Sequence, residues 1–234
     1  MSVNVEKNVY KCWICDIHGR NIRRVVKRFG TYEQLKTWDK LSGKENILDF
    51  DKLFEKVSEN RIKKYLTLPE EFVTLTGENK NLSSIKVINY LKNRDITKKD
   101  IVKWKIGYCV RGQYEGRVMI PSFGIDGRIN YFVARTYTGD WKKYLNPSVA
   151  TSDIIFNHLF IDWNKDVVLV EGIFDAMRAG SNAIPLLGST LRTNSLLFQE
   201  IIKKDASVFV ALDEDAKKKS TKIIHTLLSY GAEV

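Results

Sequence analysis

The chain contains 234 residues, of which 44% are hydrophobic, and this content is enough for the buried cores of one large or two small globular domains. Its formal net charge of +10 favours a polyanionic partner. No apolar run approaches the roughly 18 residues of a membrane span, and three cysteines make no disulfide framework, so we expect a cytoplasmic protein without a membrane segment.

The first predicted element is a strand from Val5 to Lys11, which leads into the pair Cys12 and Cys15. Two thiolates at this Cys-x2-Cys spacing are half of a tetrahedral zinc site, which takes four ligands. Two packed thiols without a metal have the same spacing, so the pair alone does not decide between these alternatives. The sequence predicts at most an incomplete zinc site here.

An amphipathic helix is predicted from Asn21 to Phe29. Its apolar residues recur at the helical positions i, i+3, i+4 and i+7, namely Ile22, Val25, Val26 and Phe29. The opposite face is basic, with Arg23, Arg24, Lys27 and Arg28. Charged helix faces are usually only solvated, but an excess of one sign is also what a phosphate backbone attracts.

Sequence patterns in the middle of the chain predict a short helix followed by a β-hairpin. Thr97, with Asp100 three residues later, is a capping arrangement that opens a helix with apolar residues on it. Two strands follow, from Gly116 to Pro121 and from Ile129 to Arg135, joined through a tight Asp-Gly turn at residues 126–127.

Two apolar runs in the last third of the chain end in carboxylates. Val167 to Val170 leads into Glu171, and Val208 to Leu212 leads into Asp213 and Asp215. Such runs indicate buried strands of a parallel sheet, which places its chemistry at the carboxyl ends of its strands. We therefore expect the three acids at one sheet edge, where their hard oxygens suit Mg²⁺. In the alternative, Asp215 only caps the next helix and Glu171 lies in a first helical turn.

The acid-bearing segments resemble a known family. Residues 169–175, which contain Glu171 and Asp175, are similar to the Glu-Gly-x-x-Asp motif of Toprim domains, shared by bacterial-type primases, topoisomerases and some nucleases. Residues 183–190 resemble the second strand and Gly-Ser/Thr turn of primases, and residues 212–216 resemble their Asp-x-Asp motif. The chain departs from the family at Glu214, where Gly is common, and we expect the added charge to alter metal affinity.

The preceding region distinguishes between the branches of that family. Residues 116–146 resemble the basic subdomain of bacterial and phage primases, with a Gly-Arg-Val strand, an Asp/Gly turn, a strand ending in Arg and a Lys-Tyr-Leu-Asn segment. Topoisomerases and Toprim nucleases are not expected to carry this order. Residues 68–72 and 90–108 resemble the entry to the polymerase domain of phage primases, and the cysteine pair resembles the second half of a primase zinc ribbon.

The resemblance implies an α/β fold class: a Toprim parallel-sheet domain preceded by a basic α+β subdomain and an N-terminal zinc-ribbon remnant. We expect a partial zinc ribbon with its basic helix at 1–30, a helical connector at 31–80, the basic primase subdomain at 81–160 and the Toprim domain at 161–234. We also expect the chain to be a fragment, with a truncated Toprim domain and zinc ligands missing upstream.

The implied activity is that of a DNA primase, a nucleotidyltransferase that makes short RNA primers on single-stranded DNA from ribonucleoside triphosphates during replication. Asp213 and Asp215 are expected to hold Mg²⁺ or Mn²⁺, with Glu171 as a further ligand or base and Asp175 supporting the site from behind. Zn²⁺ is the expected metal of Cys12 and Cys15. Template phosphate and incoming triphosphate are expected to contact the hairpin region, through Arg117, Arg135, Lys142, Lys143 and Asn146.

Partners and alternatives also follow from the resemblance. A replicative helicase is the expected partner, because primases of this class act beside one and the chain has no phosphate loop of its own. The expected location is the cytoplasm of a bacterium or a phage-infected host. One alternative is a Toprim nuclease or topoisomerase-type enzyme, which is disfavoured because no tyrosine has a recognisable nucleophile context. The other is a non-catalytic module that binds single-stranded DNA.

Overall fold

The structure is a computed structural model that describes residues 1–42, 66–77, 81–188 and 190–234. It contains two compact units, Met1–Asn60 and Arg61–Val234. Much of the predicted connector, at residues 43–65 and 78–80, lies outside the described residues, as does residue 189 of the predicted Gly-Ser/Thr turn. None of the described helices is long and apolar enough to cross a membrane.

The first unit begins with a small antiparallel sheet of the strands β1 (Ser2–Asn4), β2 (Val9–Lys11) and β3 (His18–Gly19). The predicted strand is shortened at its start, because residues 5–8 form the tight turn between β1 and β2, where Asn8 has a positive φ of 51°. Cys12 and Cys15 lie between β2 and β3. Both thiols therefore belong to one short loop.

Two helices follow in the first unit, α1 (Ile22–Phe29) and α2 (Tyr32–Leu41). The predicted helix α1 is confirmed, with Asn21 as the N-cap that accepts a hydrogen bond from the backbone N–H of Arg23. The side chain of Arg23 pairs with α2: its Nε lies 2.6 Å from Oδ1 of Asp39, and both side chains are mostly buried. Part of the predicted basic face is therefore used to join two helices.

The second unit contains a four-stranded antiparallel sheet with the order β4-β5-β6-β7. Its strands are β4 (Phe72–Thr74), β5 (Gly107–Cys109), β6 (Arg117–Phe123) and β7 (Ile129–Thr136). The predicted hairpin is β6 and β7, and Gly127 in its turn has a φ of +76°, which favours glycine. The connector predicted as helical is extended at β4, because aromatic and β-branched side chains there favour a strand that pairs with β5.

Two described helices, α3 (Leu82–Lys92) and α4 (Lys98–Lys103), lie between β4 and β5 in the chain. The predicted cap of α4 is confirmed. The Asp100 carboxylate accepts a hydrogen bond from the N–H of Thr97 at 2.9 Å, and the Thr97 hydroxyl accepts one from the N–H of Asp100 at 3.3 Å. The Thr97 hydroxyl also donates to the carboxylate, and this bond lowers the pKa of Asp100 below its ordinary value.

The predicted parallel sheet is present, with the strand order β10-β8-β9. It consists of β8 (Val167–Val170), β9 (Ala183–Pro185) and β10 (Val208–Ala211), with the helices α5 (Ile173–Ala179), α6 (Leu196–Lys204) and α7 (Lys217–Ser229). β8 is central and pairs in parallel with both neighbours. α5 packs on β8 and β9, and α7 packs on β10. Beside β10, Glu233 forms a parallel bridge with Ser207.

One hydrophobic core is shared by the two sheets of the second unit. It joins the fully buried side chains of Tyr108 and Val118 from the antiparallel sheet to those of Val170 and Ile173 at the parallel sheet. The predicted regions 81–160 and 161–234 therefore share one core. Close packing in that core fixes the two sheets relative to each other.

Arg117, predicted to contact template or nucleotide, is instead buried at the start of β6. Its side chain is only 5% exposed, and its guanidinium donates to Asp140 Oδ2 at 2.7 Å and to the Lys142 carbonyl at 2.9 Å. A guanidinium in the interior needs such partners, because an unpaired buried charge is costly. Arg117 therefore fixes the segment that follows β7, with its cation paired inside the fold.

Replacing Arg117 with Met keeps the aliphatic length of the side chain and removes both hydrogen bonds. We expect the free energy of unfolding to fall by about 1–3 kcal/mol, because the Lys142 carbonyl and the Asp140 carboxylate lose a charged donor. Urea denaturation followed by circular dichroism measures this. The exposed Arg111 provides the control, since Arg111→Met is expected to change stability by less than about 0.5 kcal/mol. Equal stabilities of the two variants would contradict the bracing role.

Candidate functional site

Three carboxylates meet at the carboxyl edge of the parallel sheet. Val170 and Ala211 are register partners at the ends of β8 and β10, so the chain leaves both strands at the same edge. Glu171 follows β8 directly and Asp213 follows β10 by two positions. The side chains of Glu171, Asp213 and Asp215 each offer an oxygen, and these oxygens lie within 4.8 Å of one another. The predicted convergence of the acids is therefore observed.

A tight turn, and not an extended strand, brings Asp215 to the cluster. Residues Glu214–Ala216 form a single turn of 3₁₀-helix, in which the N–H of Ala216 donates to the carbonyl of Asp213 at 2.9 Å. The N-cap of α7 is Ala216, without a side-chain cap, so Asp215 does not serve as the cap. The alternative in which this acid only caps a helix is not realised.

Glu171 also lies outside a helix, because α5 begins at Ile173 with Gly172 as its N-cap. Asp175, in the first turn of α5, accepts a hydrogen bond from the N–H of Gly172 at 3.0 Å. A Cβ on Gly172 would lie 2.9 Å from the same carboxylate oxygen, so the lack of a side chain allows the close approach. Asp175 thus fixes the turn that carries Glu171.

The electrostatics of the cluster centre on Asp213. Partial loss of hydration raises the pKa of Asp213, and the nearby negative charges of Asp175, Glu171 and Asp215 raise it further. Lys219 acts in the opposite direction. Glu214, the residue at which the chain departs from the family pattern, is exposed and pairs with Lys217 at 3.4 Å. The carboxylates therefore repel one another and favour a cation among them.

Lys219 is a site residue that the sequence reasoning missed. Its Nζ lies 2.9 Å from Oε1 of Glu171, and both side chains are partly buried. Lys219 lies in the first turn of α7, four positions after Asp215, and this spacing brings residues together on one side of a helical turn. That spacing could have indicated Lys219 in the sequence. It did not single out Lys219, because Lys217 and Lys218 directly precede it.

The donor set fits a small divalent cation. Mg²⁺ and Mn²⁺ prefer carboxylate oxygens, and a few carboxylates with waters and substrate phosphate complete their coordination. Glu171, Asp213 and Asp215 are the residues that would hold such an ion, since each presents an oxygen to the same space. Within the described ranges, no other group of three or more His, Cys, Asp or Glu side chains has this geometry.

Two arginines lie against the helix that follows Glu171. The guanidinium of Arg135 is 4.8 Å from the ring centroid of Tyr144 and 5.7 Å from that of Phe174, in the first turn of α5. Arg135 also donates a hydrogen bond to the Tyr144 hydroxyl. Arg94, which the sequence did not single out, lies 5.0 Å from the Phe174 ring on the same helix. The antiparallel sheet thus places Arg135 against the first turn of the helix that follows Glu171.

The other predicted binding residues lie in the segment after β7. Asn146 is half-buried, and its Oδ1 accepts a hydrogen bond from the N–H of Ala134 at 3.1 Å, so this side chain fixes the segment to β7. Lys142 and Lys143 are exposed. They follow Trp141, which is also exposed. Of the predicted cations, these two lysines have the greatest freedom to meet a ligand.

The cysteine pair of the first unit retains metal-binding chemistry. Hydrogen bonds from the backbone N–H groups of Cys15 and Ile14 lower the pKa of the Cys12 thiol to about 7. A lowered thiol pKa favours the thiolate, which is the form that binds zinc. No third potential ligand joins Cys12 and Cys15 in the part of the chain that the structure describes. The predicted zinc site is therefore incomplete among these residues.

Comparisons with curated proteins identify primases. No protein-family model matches the chain. The DNA primase of Staphylococcus epidermidis is 25% identical over 134 residues, which cover 52% of this chain and 22% of that protein. The DNA primase of Thermotoga maritima is 24% identical over an alignment of 268 residues, which covers 95% of this chain and 46% of that protein. The chain thus spans less than half the length of these two relatives.

Solved structures share the fold. The Aquifex aeolicus primase, with its zinc-binding and RNA polymerase domains, gives a TM-score of 0.55 at 22% identity and covers 98% of this chain and 66% of that chain. A DnaG primase catalytic domain bound to single-stranded DNA gives 0.53 at 16% identity and covers 64% of this chain and 62% of that chain. The resemblance to bacterial-type DNA primases is confirmed. The mixed α/β fold with its parallel sheet is that of DnaG primase catalytic cores.

Replacing Lys219 with Met removes the ammonium that competes with a divalent ion for Glu171. We expect Mn²⁺ binding to tighten roughly 5-fold, because a partly buried ion pair is worth about 1 kcal/mol. Electron paramagnetic resonance of free Mn²⁺ measures the affinity. Lys218→Met is the matched control, since it removes the same charge from an exposed position in the same helical turn. Weaker Mn²⁺ binding by the Lys219 variant would mean that Lys219 shapes the cluster and does not compete for it.

Proposed function

We propose that this chain carries the catalytic site of a DNA primase, which synthesises short RNA primers on single-stranded DNA from ribonucleoside triphosphates. One observation carries the proposal: Glu171, Asp213 and Asp215 offer oxygens within 4.8 Å of one another in a fold shared with primase catalytic cores. Fold alone does not define an activity, but the acids supply the chemistry that nucleotidyl transfer needs.

In the reaction, the 3′ hydroxyl of one nucleotide attacks the α-phosphate of the next, and pyrophosphate leaves. When bound, Mg²⁺ or Mn²⁺ neutralises negative charge on the attacking and leaving oxygens. Asp213 and Asp215 would hold the ion, and Glu171 would act as a further ligand or as the base that accepts the hydroxyl proton. Asp175 keeps Glu171 in place through its hydrogen bond to the N–H of Gly172.

The chain's cations would orient the polyanionic substrates. Arg135 is held by Tyr144 and by Phe174, close to the loop that carries Glu171, and would bind triphosphate or template phosphate. Lys142 and Lys143 are exposed and would follow the template backbone. A related DnaG catalytic domain has been solved bound to single-stranded DNA, which supports this choice of template.

The remaining assignments concern partners and a second metal. We infer that Zn²⁺ binds Cys12 and Cys15 together with two further ligands, because the depressed pKa of Cys12 favours a thiolate and zinc takes four. A replicative helicase is the proposed protein partner, since a primer is useful where template strands are being separated. The proposed location is the cytoplasm.

Substitution of Asp213 by Asn tests the catalytic assignment. We expect labelled-ribonucleotide incorporation on a single-stranded template to fall at least about 100-fold, because the variant loses a charged oxygen at the point of reaction. Its thermal unfolding should match that of the wild type, since Asp213 is exposed. Glu214→Gln, at the neighbouring exposed acid, should keep most of the activity.

The same assay separates the competing functions. A nuclease would shorten the template in the wild type and stop doing so in the Asp213 variant. A non-catalytic binding module would bind template and incorporate nothing. Normal primer synthesis by Asp213→Asn would overturn the assignment of the acids.

The salt dependence of DNA binding tests the proposed template path. Replacing both Lys142 and Lys143 with Ala should reduce the slope of log affinity against log salt by roughly one to two units, because each phosphate contact releases about one counterion. Fluorescence anisotropy of a labelled single strand measures the slope. Lys98 and Lys99, exposed in α4, give a control double variant with the same charge loss. Equal slopes for both double variants would move the template path elsewhere.

A further inference from the structure

Trp141 is the most exposed aromatic side chain described in the second unit. It lies between the end of β7 and Tyr144, and 90% of its surface is exposed. Tryptophan is enriched at binding surfaces, because its indole offers a large apolar area together with an N–H donor. The proposed catalytic chemistry does not use this residue.

The loop around Trp141 is braced. Arg117 donates to the Asp140 carboxylate before Trp141 and to the Lys142 carbonyl after it, at 2.7 and 2.9 Å. The N–H of Thr136 also donates to the carbonyl of Lys143 at 3.1 Å. The exposed indole is therefore presented by a loop whose backbone is held in place on both sides of Trp141. Such preorganisation lowers the entropy cost of binding.

The surroundings of Trp141 indicate the class of ligand. Lys142 and Lys143 follow it directly and are exposed, so a π-face lies beside two positive charges. Single-stranded nucleic acids combine unpaired bases with phosphates, and the proteins that bind them combine aromatic platforms with basic side chains. A duplex offers no free base face along its length, and the Asp and Glu side chains that make a peptide acidic have no ring to stack.

The position of Trp141 relative to the acids also fits. Tyr144 lies three residues further along the chain, so the two Cα atoms are at most about 11 Å apart. Tyr144 contacts Arg135, and Arg135 contacts Phe174 in the first turn after Glu171. These contacts link the segment that carries Trp141 to the helix that follows Glu171 within one packed unit.

We propose that Trp141 is a stacking platform for an unpaired base of a single-stranded nucleic acid, with Lys142 and Lys143 holding the adjoining phosphates. The inference rests on the proposed function and adds to it a contact that does not depend on charge. Binding through Trp141 thus makes this surface selective for single strands over duplexes.

The test compares Trp141→Ala and Trp141→Phe with the wild type, using a labelled oligothymidylate and fluorescence anisotropy. Loss of one stacked base is expected to weaken binding of the Ala variant roughly 5- to 100-fold. The slope against salt should not change, because no phosphate contact is removed. The Phe variant should retain most of the affinity, since its ring can still stack. Ile125→Ala is the control, because Ile125 is an exposed apolar residue in the turn at the opposite end of the hairpin.

An abasic oligonucleotide of the same length makes the test specific for stacking. Without bases, the wild type and Trp141→Ala should bind equally well, because there is nothing to stack on the ring. A loss that persists on the abasic strand, or equal affinity of both proteins for oligothymidylate, would overturn the inference. A changed salt slope in the Ala variant would do the same, because it would show a disturbed phosphate path.

Primer synthesis by the wild type separates this inference from the proposed function. If the wild type makes primers but Trp141→Ala binds oligothymidylate normally, the stacking platform is wrong and the primase assignment stands. If the wild type makes no primer but the base-dependent loss is observed, the platform stands and the catalytic assignment fails.

Discussion

The parallel pairing of β8 with β10 is the constraint on which the rest of the site depends. In a parallel pair both strands end at the same edge, so the residues that follow them meet there. The register is held by burial, since Val167, Leu169 and Val208 are almost completely buried. A slip of β10 by one residue would turn Val208 to the opposite face of the sheet, and Asp213 would move away from Glu171. The acid cluster is thus stabilised by apolar packing, because its own charges oppose its formation.

Charge balance explains how an acidic cluster exists in a chain of net charge +10. Three carboxylates within 4.8 Å repel one another, and the raised pKa of Asp213 reflects that repulsion together with partial loss of hydration. Lys219 relieves part of it by pairing with Glu171. A divalent ion would relieve more, because it brings two positive charges to the oxygens. The fold therefore holds the carboxylates in an arrangement that a cation completes.

Local structure, such as strands, helix caps and turns, was predictable from the sequence. Side-chain pairs between residues far apart in the chain were not. The strands β8 and β10, the helix α1, the cap at Thr97 and the Asp-Gly turn follow from patterns within a few residues, and the structure confirms them. Arg117 and Lys219 required knowledge of partners at distances of 23 and 48 residues in the chain. In the sequence both residues are indistinguishable from cations that bind a ligand. Only their contacts in the fold show that Arg117 is a buried brace and that Lys219 is a counter-ion of Glu171. β4 was missed because a three-residue strand is too short to show a recognisable alternation of apolar and polar residues.

The contacts of the basic residues show why net charge alone does not locate a binding surface. Arg23 joins two helices and Arg117 is buried, so both are already neutralised within the fold. Arg117 nevertheless influences the surface, because it donates hydrogen bonds to Asp140 and to the Lys142 carbonyl, on either side of Trp141. These bonds fix the backbone of the exposed segment. A flexible loop with the same residues would lose conformational entropy on meeting a strand, and part of the binding free energy would offset that loss. A buried cation would therefore strengthen the proposed binding by fixing the residues that are proposed to contact the template.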